Sequence, residues 1–156
     1  MNLRNLVEEL GRRLNTPLAL DGGGLARIIV DQSLPVDFEL DEPHGLLLVY
    51  SVIGILPAGA ARERFFERLL SGNLFGAQMA PCSPAFDPER NEMLLWFSLG
   101  ESAHIEGAVD ALEKLVALAE TWRNELTQVQ VGGDTVAAGA PAAYEPPAAF
   151  NAFMRA

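Results

Sequence analysis

The chain carries a single cysteine, Cys82, in 156 residues, so no internal disulfide can form and a reducing compartment is the simplest setting. Histidine is nearly as scarce, with only His44 and His104. Zinc needs three or four clustered nitrogen or sulfur ligands, and no such cluster exists here. No apolar run approaches the ~20 residues of a membrane-spanning helix. The first residues, Met1-Asn2-Leu3-Arg4-Asn5, lack the apolar stretch of a secretory signal. Cations are few as well: Lys and Arg total 11 against 21 Asp and Glu, a formal net charge of −10. A nucleic-acid binder must displace counterions from phosphate, and an anionic membrane surface repels a chain of this sign, so neither partner is expected.

What the chain does have is apolar surface. Hydrophobic residues make up 49%, and the mean hydropathy is +0.15 despite the charge. These values fit a soluble protein that keeps apolar surface for a partner and stays dispersed through negative charge. Two strands dominate the pattern, Leu46 to Ile53 and Met93 to Leu99. Neither alternates apolar with polar, which is the signature of strands covered on both faces. Few helices are available to cover two faces in so short a chain. One face is therefore expected to pack on the protein's own helices and the other on a second copy, a partner, or both.

Periodicity predicts a helix over 2–14, with Leu3, Leu6, Val7, Leu10 and Leu14 on one face. A short strand over 18–20 leads through Gly22-Gly23-Gly24 to strands at 25–30 and 36–40, and Glu42-Pro43-His44-Gly45 turns the chain into 46–53. A second helix is expected from Pro57 to Gly72, an irregular stretch or short strand over 73–80, and a loop over the prolines of 81–90. The third helix runs over 102–126 with an acidic outer face. The reading is an α+β fold with an antiparallel sheet and three helices, residues 1–128 forming one domain. Residues 129–156 form an Ala/Pro-rich tail that cannot bury enough to fold alone, ending in Phe150, Phe153 and Met154, which could dock on an apolar patch.

Chemistry is hard to find. Cys82 has no motif around it that would supply a base, and His44 and His104 read as solvated imidazoles. The three glycines join two strands instead of opening a helix, so no helix N-terminus faces a phosphate. Acidic residues along the helices read as a solvated face. No catalytic residue, metal ligand or cofactor is expected. The second helix is more informative: Phe65, Phe66, Leu69 and Leu70 crowd one side of a short element. Burying those four on each of two protomers gives roughly 12–24 kcal/mol gross, against association costs of ~4–15 kcal/mol. A two-fold interface is therefore reasonable energetically.

Three local patterns carry a resemblance. They are Leu6-Val7-Glu8-Glu9-Leu10-Gly11 in the first helix, Leu69-Leu70-Ser71-Gly72-Asn73-Leu74-Phe75-Gly76 after the second, and Trp96-Phe97 in the late strand. With the element order and the acidic charge, residues 1–128 resemble the class I type III secretion chaperones, the Tir chaperone family. The resemblance implies a homodimeric bacterial cytoplasmic protein without enzymatic activity. It implies a chaperone that holds the N-terminal segment of a virulence effector extended and ready for export, with the secretion ATPase a candidate further partner. It places Phe65, Phe66, Leu69, Leu70 and Trp96 in the dimer, and Leu3, Leu6, Leu10, Leu18, Ile28, Val36 and Phe38 against the effector. The rival readings are a non-chaperone interaction subunit of the same fold and a small acidic enzyme using paired carboxylates.

Overall fold

Asn2 opens the first helix, α1 (Leu3–Arg13), by accepting the Arg4 amide at 2.8 Å on its side-chain oxygen. The expected stripe of Leu3, Leu6, Val7 and Leu10 is buried against the sheet. Gly11 lets the following segment pass close by. A Cβ there would lie 2.8 Å from the Thr16 carbonyl oxygen and 2.9 Å from the Leu18 Cβ. The computed structural model describes residues 2–131.

Five strands follow: β1 (Leu25–Val30), β2 (Leu34–Asp41), β3 (Leu46–Ile55), β4 (Ser83–Asp87) and β5 (Glu92–Gly100). They form one antiparallel sheet in the order β1-β2-β3-β5-β4, so β3 is central and β1 and β4 are its edges. The second helix, α2 (Ala60–Gly72), connects β3 to β4, and α3 (Ile105–Val131) closes the chain. One-turn helices stand at Glu42–His44 and Leu74–Gly76.

The boundaries differ from expectation in instructive places. Residues 18–20 form no strand of the sheet. The expected loop over 81–90 contains β4, an edge strand, where Pro84 costs no ladder bond on its open side. The turn after it is as expected, with the Asp87 carboxylate accepting the amides of Glu89 and Arg90. α2 starts at Ala60 because Gly59, at φ 65 and ψ −149, breaks the backbone after Pro57. α3 starts at Ile105 and continues past the expected end at Leu126 to Val131. The Ala/Pro-rich stretch from 132 lies outside the described residues.

α1, α2 and α3 share one core with one face of the sheet. Strand alternation turns Ile28, Val36, Phe38, Leu47, Val49, Met93, Leu95 and Phe97 to that side. There they form one core with Leu6, Leu10, Phe65, Leu69, Leu112, Leu115 and Trp122. A bulge between Val52 and Gly54 bends β3 where α3 lies on it. Gly54, at φ 152, is needed for that approach, because a Cβ would meet the Leu126 side chain at 2.9 Å. Ser51 is the one serine buried in this core, and its hydroxyl donates to the Pro35 carbonyl at 2.7 Å.

Candidate protein interfaces

The seven residues expected to face an effector all turn inward. Leu6, Leu10, Val36 and Phe38 are wholly inside the protomer's core, and Leu3, Leu18 and Ile28 stand nearer its rim. Their apolar spacing on α1, β1 and β2 serves the contact between α1 and the sheet. What remains accessible beside them is the β1 edge, with Ile29 exposed and Leu14, Leu20, Ala26 and Val30 half-buried. Among the described residues β1 pairs with no strand but β2, and at its start the Leu25 amide and carbonyl are bonded to Asp21.

The α2 ridge splits in two. Phe65 and Leu69 point into the core, Phe65 meeting the Trp122 ring edge-on at 5.8 Å between centroids. They are therefore not available to a second copy in this conformation, which roughly halves the gross burial a dimer could draw from the four residues. Phe66 is half-buried against Phe86 of β4, at 5.6 Å and 86°. Arg62 covers both rings at 5.4 and 4.8 Å and donates to the Asn91 side chain at 2.8 Å, tying α2 to the β4–β5 hairpin. Leu70 is exposed, and so are Leu74 and Phe75, which sequence reasoning had placed only within a family pattern. Phe75 is 99% exposed and sits at φ 53, ψ 25, a left-handed conformation rare for an aromatic residue. Trp96 stands half-buried on the opposite face of the sheet, paired with Tyr50 and Ser83. An interface holding both Trp96 and the α2 ridge must wrap the β4 edge.

The polar groups are arranged for structure. Asp21 accepts the amides of Gly23 and Leu25 on its carboxylate, at 2.8 and 2.9 Å, so the glycine turn closes on itself. Beside it a shallow cavity of about 290 Å³ holds Arg4 paired with Glu42 at 3.0 Å, and His44 bonded to Asp41 at 2.8 Å. Two carboxylates are held above their ordinary range by burial. Asp37 also takes a two-pronged contact from Arg27, at 2.6 and 3.1 Å, which partly offsets that rise. Glu92 is the other, with Arg90 opposing the rise and Asp87 adding to it. Asp37 pairs with Tyr50 and Glu92 with Ile55 at the far end of β3, so the two do not form an acid–base pair. His104 is exposed at the start of α3. Among the described residues, no group of three or more His, Cys, Asp and Glu side chains could hold a metal.

Cys82 is buried, and its thiol is pushed up to about 11, mainly by that burial, with Lys114 opposing. At pH 8 the native protein then holds about a hundredfold less thiolate than an ordinary cysteine. Iodoacetamide is expected to leave Cys82 unmodified in the folded protein and to alkylate it fully in denaturant, as read by mass spectrometry. Comparable labelling in both states would mean that the site opens to solvent.

Comparison with known proteins agrees with this architecture. The model of the Tir chaperone protein (CesT) family matches residues 5–123. A protein of Chlamydia pneumoniae is 23% identical over 124 residues, which span 80% of this chain and 92% of that one. Among solved structures, a chain of the HopA1–SchA chaperone–effector complex superposes with a TM-score of 0.64 at 19% identity, covering 78% of this chain and 93% of that one. A chain of the ExoU–SpcU heterodimeric complex, from the type III secretion system of Pseudomonas aeruginosa, gives 0.64 at 17% identity, covering 81% and 98%. A chain from the Yersinia pestis type III secretion chaperone SycH in complex with a stable fragment of YscM2 gives 0.60 at 21%, covering 76% and 98%. Three helices with a five-stranded antiparallel sheet match the fold of those chains. With the family model spanning most of its length, this chain belongs to the Tir chaperone protein (CesT) family.

Proposed function

We propose that the protein is a homodimeric type III secretion chaperone that holds the N-terminal segment of an effector extended. The observation that carries this reading is the family match over residues 5–123, on a sheet with β1 as one of its edge strands. A client strand laid along β1 completes that edge with main-chain hydrogen bonds. Its side chains rest on the rim formed by Leu18, Leu20 and Ile28. The deep residues Leu6, Leu10, Val36 and Phe38 hold that rim in place from beneath. Ordering a disordered client costs free energy, and a rigid sheet edge keeps the cost on one side of the complex only. The protein carries out no chemistry of its own, needs no cofactor, and works in the bacterial cytoplasm. The secretion ATPase is a further partner in this reading. Among the described residues no helix is long and apolar enough to cross a membrane.

The test is co-expression with a disordered effector N-terminus, followed by purification on a client tag. A soluble stoichiometric complex supports the reading, and recovery only of complexes with folded partners would replace it with an interaction subunit. Within a positive result, Leu20→Asp together with Ile29→Asp is expected to weaken the client complex about tenfold, or ~1.4 kcal/mol. The melting temperature should move little, since neither side chain is buried. Unchanged affinity would shift the client away from β1.

A further inference from the structure

The arginines of the described residues are engaged, with one exception. They meet carboxylates, aromatic rings or a backbone carbonyl, as Arg27, Arg62 and Arg123 do. Arg64 makes no ion pair, hydrogen bond or ring contact among the described residues, and it is exposed on α2. Glu63 and Glu67, on the same helix, are equally exposed and equally without an ion pair among those residues. They stand four residues apart, a like-charge spacing that destabilises a lone helix. Arg64 precedes Glu67 by three residues, the poorer order for a pair within one helix. Phe65 and Leu69 fix the buried side of α2. At 100° per residue Glu67 lies about 200° from Phe65, at the middle of the outer side, with Arg64 about 60° away from it. The exposed Leu70 and Leu74 continue that side toward the C-terminal end.

We propose that Arg64 sets the register of the homodimer by pairing with Glu67 of the partner subunit, between α2 helices packed antiparallel. The inference rests on the homodimeric reading above and adds to it the residues that decide which chain is accepted. Two-fold symmetry makes the contact twice, because Glu67 of the first copy meets Arg64 of the partner subunit in return. The axis then passes between residues 65 and 66, at the middle of Ala60–Gly72, so the two helices overlap along their whole length. Parallel helices about a two-fold would instead set Arg64 against Arg64 and Glu67 against Glu67, which the charges oppose. Packed helices lie ~8–10 Å apart, a gap that arginine and glutamate side chains bridge together. Leu70 is one turn beyond the pair, with Leu74 and Phe75 about one turn further on. These apolar groups exclude water around the charges, and a shielded pair discriminates against a wrong partner more sharply than an open one. In a chain at −10, this patch with its own cation is matched by a second copy of itself.

Charge exchange on the full chain tests the pairing. Arg64→Glu alone, or Glu67→Arg alone, brings like charges together at both contacts. Each variant is expected to self-associate about a hundredfold more weakly than the parent and to sediment as a monomer at micromolar concentration. Mixed in equal amounts, the two restore both contacts with the charges exchanged. A one-to-one heterodimer within about tenfold of the parent affinity is expected, and its recovery also shows that each variant is folded. Combining both substitutions in one chain should restore the homodimer to the same extent. A parent that is itself monomeric would sink the homodimeric reading, and this inference with it. A dimeric parent whose two variants self-associate as tightly would overturn the pairing alone, as would monomeric variants that fail to combine. Variants that stay dimeric but lose the client would overturn it too, and would assign Arg64 to the effector.

Discussion

Phe38→Glu is expected to abolish cooperative folding. The ring is 1% exposed and lies in the sheet between Ala26 of β1 and Val49 of β3, beneath the helices. Removing a buried phenylalanine ring costs ~3–5 kcal/mol, and burying a carboxylate without a partner adds several more or forces it to take up a proton. A domain of this size has about 5–15 kcal/mol in total. The signature is loss of the near-ultraviolet signal and of the thermal transition, with client binding lost only because the fold is lost. Phe38→Leu keeps an apolar group in place and should cost roughly 1–2 kcal/mol, with binding retained. A folded Phe38→Glu protein with a normal melting temperature and selectively weakened client binding would show that the ring is reachable from outside.

That expectation reverses the one drawn from the sequence, and the reason is physical. Spacing along α1 identifies Leu3, Leu6 and Leu10 as one stripe, and alternation identifies Val36 and Phe38 as one face. A stripe against a core and a stripe against a partner have the same period, so only the tertiary arrangement separates them. On α2 the residues Phe65 and Leu69 point inward, while Phe66 and Leu70 are turned by about 100° around the helix. The density of the ridge was legible, but not which angle faced the core. β4 was hidden by Pro84 and by its lack of β-branched residues, which together read as loop; pairing with β5 outweighs both. The central strands, by contrast, were legible almost to the residue. Their unbroken apolar runs could belong only to the middle of a sheet, and β3 with β5 beside it is the middle. The exposure of Phe75 depends on a left-handed backbone at that residue, which its neighbours Asn73 and Gly76 hint at but do not dictate.

That exposed segment sets up the second large effect. With Phe65 and Leu69 committed to the core, the proposed homodimer must draw on Leu70, Leu74 and Phe75. Burying these three on both protomers supplies ~9–18 kcal/mol gross, against ~4–15 kcal/mol for association. Leu70→Asp combined with Phe75→Asp removes four of the six side chains, about 6–12 kcal/mol of that gross. It also sets four carboxylates against one another across the two-fold axis, in a chain already at −10. The dimer is expected to dissociate at least a hundredfold more readily, about 3 kcal/mol, and to run as a monomer in sedimentation at micromolar concentration. The fold should not suffer, because both side chains lie outside the core and aspartate accepts a left-handed backbone better than phenylalanine does. A monomer with an unchanged melting temperature is thus the specific result, distinct from the unfolding expected of Phe38→Glu. A variant that sediments as the parent does would place the contact between copies elsewhere, with the Trp96 face and the β4 edge the next surfaces to substitute.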